Sequence, residues 1–231
     1  MKLGTPRLHM RQTGSTNDDA KRLAAAGAPA GLLVTASAQT AGRGRRGRSW
    51  TAPPGQALLM SLVLDATPLL PLRTAVALAR ACGPRATIKW PNDIQVDGLK
   101  VAGILCEAQV GSGQHSISHV VVGIGVNVAL QTEALPPELA GIAGSMGREP
   151  HEIEDFLAQL LRELEVALAT GDHDLLDQWR ERDALLGQHV AWHAGAGIAD
   201  GIDESGRLLV RIDDGSTMAL DAGEVTLAQA G

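Results

Sequence analysis

The chain must build its interior almost without rings. Of 231 residues, four are Trp, one is Phe and none is Tyr, so the core has to come from Leu, Val, Ile and Ala. The 45% hydrophobic and 20% charged fractions are ordinary for a globular chain and disfavour disorder, collagen-like repeats and membrane spanning. The same scarcity of rings argues against single-stranded nucleic-acid binding on aromatic platforms. A formal net charge of −6 points the same way, because an acidic chain repels a phosphate backbone unless its cations are gathered locally. The apolar runs at 57–64 and 120–130 are well short of the ~20 residues that a spanning helix needs. Cys82 and Cys106 form no CxxC pair, which favours a reducing compartment. The N-terminal MKLGTPRLHMRQ lacks the apolar segment of a secretory signal, so a cytoplasmic location is expected.

Patterning along the chain predicts mixed elements. Ser15-Thr16-Asn17-Asp18 supplies N-cap hydroxyls and early acids for a helix from about Thr16 to Ala26. Strands are expected at 31–37 and 57–64, joined by a long Gly/Arg-rich loop from Gln39 to Gly55, and a second helix at 71–82 begins with a proline. Strands follow at 86–90, 94–96 and 100–110, with Asp97-Gly98 as a hairpin turn, then GSGQ as a further turn and a long strand at 117–128. Apolar residues recurring at three and four, from Ile153 through Phe156, Leu157, Leu160, Leu161 and Leu164 to Leu168, predict a helix from about His151 to Thr170. A shorter helix is expected at 175–185. After Gly187 the chain changes to short strands separated by turn residues, the signature of a small antiparallel barrel. The fold class is α+β: a mixed β-sheet with helices packed on it over 1–186, plus a small C-terminal barrel over 187–231.

The strongest local signal is Gly42-Arg43-Gly44-Arg45-Arg46-Gly47-Arg48-Ser49-Trp50. Four guanidiniums fall within six residues, and no Asp or Glu occurs between Asp19 and Asp65 to neutralise them. Guanidiniums are fork donors for phosphate and carboxylate, and the glycines let backbone N–H groups approach a ligand. The string also matches GxGxxG, but the prolines of SWTAPPG cannot open the helix on which a pyrophosphate would rest, and no GxxxxGK[ST] occurs. Standing alone, the run reads equally as a solvated turn or a minor nucleic-acid contact. Lys100, at the start of a strand that carries Gly103, reads either as a cation aimed at a ligand or as a solvent-facing strand end. Cys106 reads as a small buried hydrophobe.

Together, Ser15-Thr16-Asn17, the segment Gln39–Trp50, Lys89-Trp90-Pro91-Asn92-Asp93, Lys100 with Ala102-Gly103-Ile104-Leu105 and Glu107, and Gly123-Ile124-Gly125-Val126-Asn127 resemble the biotin protein ligase family in order and spacing. The resemblance covers about 14–128 closely and the rest by architecture. It implies a class II synthetase-like, biotin/lipoyl ligase-like catalytic domain with an SH3-like C-terminal barrel. It also implies a two-step reaction: biotin and MgATP give biotinyl-5′-AMP and pyrophosphate, and a specific lysine of a biotin carboxyl carrier domain, of acetyl-CoA carboxylase or a related carboxylase, then attacks the adenylate. By the same resemblance, Arg45 and Lys100 are catalytic. Ser15, Thr16, Asn17, Gln39, Arg43, Gly44, Arg45 and Lys100 contact biotin, and Arg48, Trp50, Asn92 and Asn127 serve ATP or the adenylate, with Trp50 stacking on adenine. Mg2+ enters with ATP, and no metal ligand is assigned. Ala228 stands where the best-known member carries an arginine that helps bind the nucleotide. With about fourteen residues ahead of the motifs, a winged-helix domain, DNA binding and repressor activity are not expected. No membrane partner is expected, and a homodimer through sheet edges is compatible with the family. Two alternatives stay open at this stage: a lipoate or octanoyl ligase of the same fold, and a module whose Gly/Arg loop binds RNA or DNA.

Overall fold

The computed structural model describes residues 2–110, 117–221 and 225–227. Seven strands form one mixed sheet: β1 (Arg7–Met10), β2 (Leu33–Ala36), β3 (Leu58–Leu64), β4 (Ala86–Lys89), β5 (Asp93–Val96), β6 (Leu99–Val110) and β7 (Ile117–Val126), in the spatial order β1-β2-β3-β7-β6-β5-β4. Only β1 and β2 run parallel; the other neighbours are antiparallel. Asp97 and Gly98 both take positive φ, 52° and 78°, as the expected two-residue turn between β5 and β6 requires. Strand β1 is an addition to the sequence reading. It is a polar, exposed edge strand with no apolar run to announce it. The expected GSGQ turn and Ala228 lie outside the described residues.

Side chains alternate across this sheet and give its two faces different tasks. Leu58, Met60, Leu62 and Leu64 of β3, with Val122, Ile124 and Val126 of β7, belong to the main core. Helix α2 (Leu70–Cys82) lies on this face over β4–β6 and packs against α3 (Ile153–Ala169) and α4 (Asp172–Arg180). On the opposite face Val34, Val63 and Val121 form a smaller cluster with Ala20 and Ala24 of α1 (Thr16–Ala25). Because α1 covers only one end of that face, the next residues along the strands, Leu59 on β3 and Gly123 and Gly125 on β7, are left to line a cleft.

Helix α4 starts at Asp172 and ends at Arg180, earlier at both ends than the apolar pattern predicts. Asp172 and Asp174 suit a helix N-terminus. The following segment is drawn into backbone pairing with β4, through Ile88 N–H to Arg182 O at 2.7 Å and Ala184 N–H to Ile88 O at 3.0 Å. Tertiary pairing thus overrides helix propensity there.

The C-terminal strands β8 (His189–Trp192), β9 (Gly195–Ile202), β10 (Leu208–Arg211), β11 (Thr217–Leu220) and β12 (Thr226–Leu227) form a separate antiparallel sheet, ordered β11-β10-β9-β8-β12. Among the described residues β11 and β12 do not pair with each other, so the barrel expected from the turn spacing takes the form of an open five-stranded sheet. Its inner residues Val190, Ala199, Ile202, Leu208 and Val210 join the main core. Trp90 Nε1 donates to Gly206 O at 3.1 Å and fastens the two sheets.

Buried Arg73 on α2 ties α3 to α4. Its guanidinium donates to the carbonyls of Pro68 at 3.1 Å, Ala167 at 2.6 Å and Thr170 at 2.7 Å, and it also pairs with Asp172. It therefore satisfies carbonyls that the end of α3 would otherwise leave without partners. Replacing it with Met keeps the stem and removes every donor. Arg73→Met is expected to lower the unfolding free energy by about 2–4 kcal/mol in urea titration; a loss below about 0.5 kcal/mol, the scatter of ordinary surface substitutions, would contradict this role.

Candidate active site

The cleft, of about 680 Å³ including its open mouth, lies on the α1 face where β3, β7 and β6 meet the Gly/Arg segment. Ser15, Thr16 and Asn17 reach it from the start of α1, and Gln39 from the strand end before the loop. Arg43, Gly44, Arg45, Arg48 and Trp50 come from the loop itself, Asn92 from before β5 and Lys100 from β6. Asn127 is not among its lining residues. Its amide donates to Gly144 O at 2.9 Å, and its backbone accepts from Met146 N–H at 2.8 Å, so it fastens the 144–146 segment to the end of β7.

The Gly/Arg stretch is an ordered hairpin. Arg43 and Ser49 bridge, Trp50 N–H donates to Gly42 O at 2.9 Å and Gly44 N–H to Arg48 O at 2.7 Å. The tip turns through Arg46 and Gly47 at φ 55° and 75°. Its charges are also less bare than the linear sequence indicates. Arg43 is held by Asp18 at 2.5 Å and Glu107 at 3.2 Å, carboxylates brought from α1 and β6 by the fold. Burial would raise the pKa of Glu107, but hydrogen bonds from Lys21 and Asn17, and the charges of Lys21 and Arg43, outweigh it and hold the carboxyl below its ordinary range.

Arg45 donates to Asn92 Oδ1 at 3.3 Å, and Asn92 in turn donates to Ile104 O at 3.0 Å. Burial first, and then the charge of Arg46, lower the pKa of Arg45, with Asp93 acting in the other direction. A guanidinium starts so high that it stays charged. Lys100 Nζ lies 2.7 Å from Asp93 Oδ1 in a contact that is an ion pair rather than an aligned hydrogen bond, and 5.6 Å from the Trp50 ring centroid. These groups form a cationic mouth with Asp93 as its local counter-charge. A site of this kind can gather a carboxylate and a phosphate that would otherwise repel each other.

The floor explains two of the motif glycines. Ser61, Gly123 and Leu105 stand side by side across β3, β7 and β6. A Cβ on Gly123 would sit 2.1 Å from Asn17 Oδ1. In the next row Leu59, Gly125 and Gly103 are neighbours, and a Cβ on Gly125 would sit 2.5 Å from Trp50 Cε2. The glycines thus admit side chains from other elements against bare backbone, Asn17 in one row and the Trp50 indole in the other. Cys106 faces elsewhere, on an adjoining cleft between the two sheets, and burial pushes its thiol up to about 12, which makes a thiolate nucleophile unavailable there.

Glu107 and Ser61 were not singled out as site residues by sequence reasoning. The available signal for Ser61 was a lone hydroxyl inside the apolar run ALLMSLVL; for Glu107 it was an acid on an otherwise apolar strand.

Comparison with known proteins bears on this site. Residues 9–127 match the biotin/lipoate A/B protein ligase family, and residues 186–227 match the biotin protein ligase C-terminal domain. A Paracoccus denitrificans protein named biotin--[acetyl-CoA-carboxylase] ligase is 38% identical over 229 residues, spanning 87% of this chain and 92% of its own length. A bifunctional ligase/repressor of Bacillus subtilis is 35% identical over 87% of this chain and 68% of its own length. Among solved structures, a biotin protein ligase from Aquifex aeolicus in complex with biotin and ATP superposes with a TM-score of 0.81, covering 98% of this chain and 100% of that one at 24% identity, a likeness of fold.

Gly125→Ala should push the Trp50 indole off the sheet. Acrylamide quenching of tryptophan fluorescence is expected to rise, with no change in far-UV circular dichroism, and the rise should vanish in a Trp50→Phe background. Unchanged quenching would show that the ring does not rest on Gly125.

Proposed function

The chain belongs to the biotin/lipoate A/B protein ligase family, and from that membership we propose a biotin protein ligase whose chemistry runs in the cleft under the Gly/Arg hairpin. ATP and biotin are its substrates. The carboxylate of biotin attacks the α-phosphorus of ATP, giving biotinyl-5′-AMP and pyrophosphate. The amine of an acceptor lysine then attacks the acyl carbon and releases AMP. The acceptor is a biotin carboxyl carrier domain, of acetyl-CoA carboxylase or a related carboxylase.

The observation that best supports this reading is the meeting of Ser15, Thr16, Gln39, Arg45 and Lys100, from four separated segments, in one cleft. We assign Arg45 to the reacting carboxylate and α-phosphate, because it is a guanidinium already steered by Asn92. Lys100, held by Asp93, polarises the same centre in both half-reactions. Ser15 caps α1 without using its hydroxyl on the helix, which leaves that group for the ureido end of biotin along with Thr16 and Gln39. Arg43, Gly44 and Arg48 form the hairpin wall, and Trp50 and Asn92 flank the nucleotide. Mg2+ enters on the triphosphate, whose oxygens are hard ligands; among the described residues no group of three acids, His or Cys is gathered to hold an ion by itself.

The same proposal divides the chain into a catalytic part over 1–186 and an SH3-like part over 187–231. The exposed edge strand β1 leaves room for a second copy to pair along the sheet. A cytoplasmic location agrees with two free cysteines. No helix among the described residues is long and apolar enough to cross a membrane.

A lipoate ligase of the same fold is the second reading. Both are tested by exchange of labelled pyrophosphate into ATP. Exchange should require biotin, and Lys100→Ala should slow it by a factor on the order of 10²–10³. Exchange driven equally well by lipoate, or by no acid, would overturn the assignment.

A further inference from the structure

Simple alternation along β6 puts Lys100 on the wrong face of the sheet. Ala102 and Ile104 belong to the main core and Gly103 lines the cleft, so a regular strand continued back by two residues would send Lys100 into the core. Its side chain is in the cleft instead. Its Cε passes 3.4 Å from where a Cβ on Gly103 would stand, which places the stem over that glycine.

A bulge makes the difference. Strand β5 pairs Ile94 with Ala102 and Gln95 with Lys100, so Val101 has no partner on β5. Val101 and Ala102, adjacent in the chain, are both buried in the core, and the extra residue turns Lys100 to the opposite face.

The backbone groups at the bulge are held from beyond β7. Val101 O accepts Asn127 N–H at 2.8 Å. Lys100 N–H donates to Ile142 O at 2.8 Å and Lys100 O accepts Gly144 N–H at 2.8 Å, a parallel bridge centred on Ala143. Asn127 braces the same segment from its side chain, through Nδ2 to Gly144 O at 2.9 Å. The segment comes this close because Gly144 is bare. A Cβ there would lie 2.7 Å from Leu99 Cβ and 3.3 Å from Val101 Cγ1. Gly144 is not among the residues lining the cleft; it borders a separate hollow with Val96, Asp97 and Leu99.

We propose that the 142–144 segment, braced by Asn127, is a clasp that holds the β6 bulge and thereby aims Lys100 Nζ into the cleft. Gly144 and Asn127 are positioning residues that act through Lys100. The inference rests on the ligase reading above, in which Lys100 polarises the reacting centre, and adds to it a part of the chain outside the cleft that sets the direction of the lysine. A displacement of about 1 Å at such a group lowers the rate by a factor on the order of 10².

Gly144→Val tests this from outside the cleft. In pyrophosphate exchange its kcat should fall by a factor of about 10–100, while KM for biotin and for ATP should stay within about twofold, because the substitution leaves the substrate-lining side chains in place. The milder Gly144→Ala should lose about three- to tenfold in kcat with the same split, and it carries the test if thermal unfolding shows that the valine variant does not fold. A purely structural role would not reproduce the next result. Once the lysine is absent its direction no longer matters, so either substitution should slow Lys100→Ala by less than about twofold further. If the wild type exchanges with biotin but the Gly144 variants keep the wild-type kcat, or raise KM alone, or multiply the loss of Lys100→Ala in full, the clasp is wrong and the ligase assignment stands. Failure of the wild type to exchange overturns the assignment itself.

Discussion

Crowded cations at one end of a sheet depend on carboxylates to hold them in place. Arg43, Arg45, Arg46, Arg48 and Lys100 all converge near the cleft of an acidic chain. Asp18 from α1, Glu107 from β6 and Asp93 from β5 each meet one or more cations. Pairs this exposed contribute at most about 1 kcal/mol each to stability. Their larger effect is positional. Glu107 joins Lys21, Asn17 and Arg43, and so locks the start of α1 and the base of the hairpin to one strand. Asp93 restrains Lys100 at the edge of the cleft.

The sheet supports this arrangement through its alternation. One face carries Leu, Val and Ile into a core shared with α2, α3, α4 and the C-terminal sheet, which is how a chain with one Phe fills its interior. The other face is apolar only where α1 covers it. Beyond the helix start, the same strands present Leu59, Gly123, Gly125 and Gly103, so core and site are the two sides of the same three strands.

Much of this could be read from the residues. Capping residues marked α1, an early proline α2 and apolar periodicity α3, the Asp97-Gly98 turn is formed, and the separated segments that suggested a ligase converge in space. The family assignment follows from motifs because residue types there are tied to chemistry. The omissions share a cause. Strand β1 is an exposed edge whose strand partner among the described residues is 26 residues away, as in the Arg7–Leu33 pairing. The displacement of α4 arises from pairing with β4. The acid-free stretch around the arginines is free of acids only along the chain, since Asp18 and Glu107 close on Arg43 in three dimensions. Each depends on tertiary contact, which local pattern does not encode.

The central claim is that this cleft joins biotin to a protein lysine through an adenylate. The most direct measurement is intact-mass analysis of a biotin carboxyl carrier domain incubated with the protein, MgATP and biotin. The account predicts an added biotinyl group on a single lysine of the carrier, absent when ATP or biotin is withheld. A carrier of unchanged mass, or one that takes up a lipoyl group as readily, would contradict it.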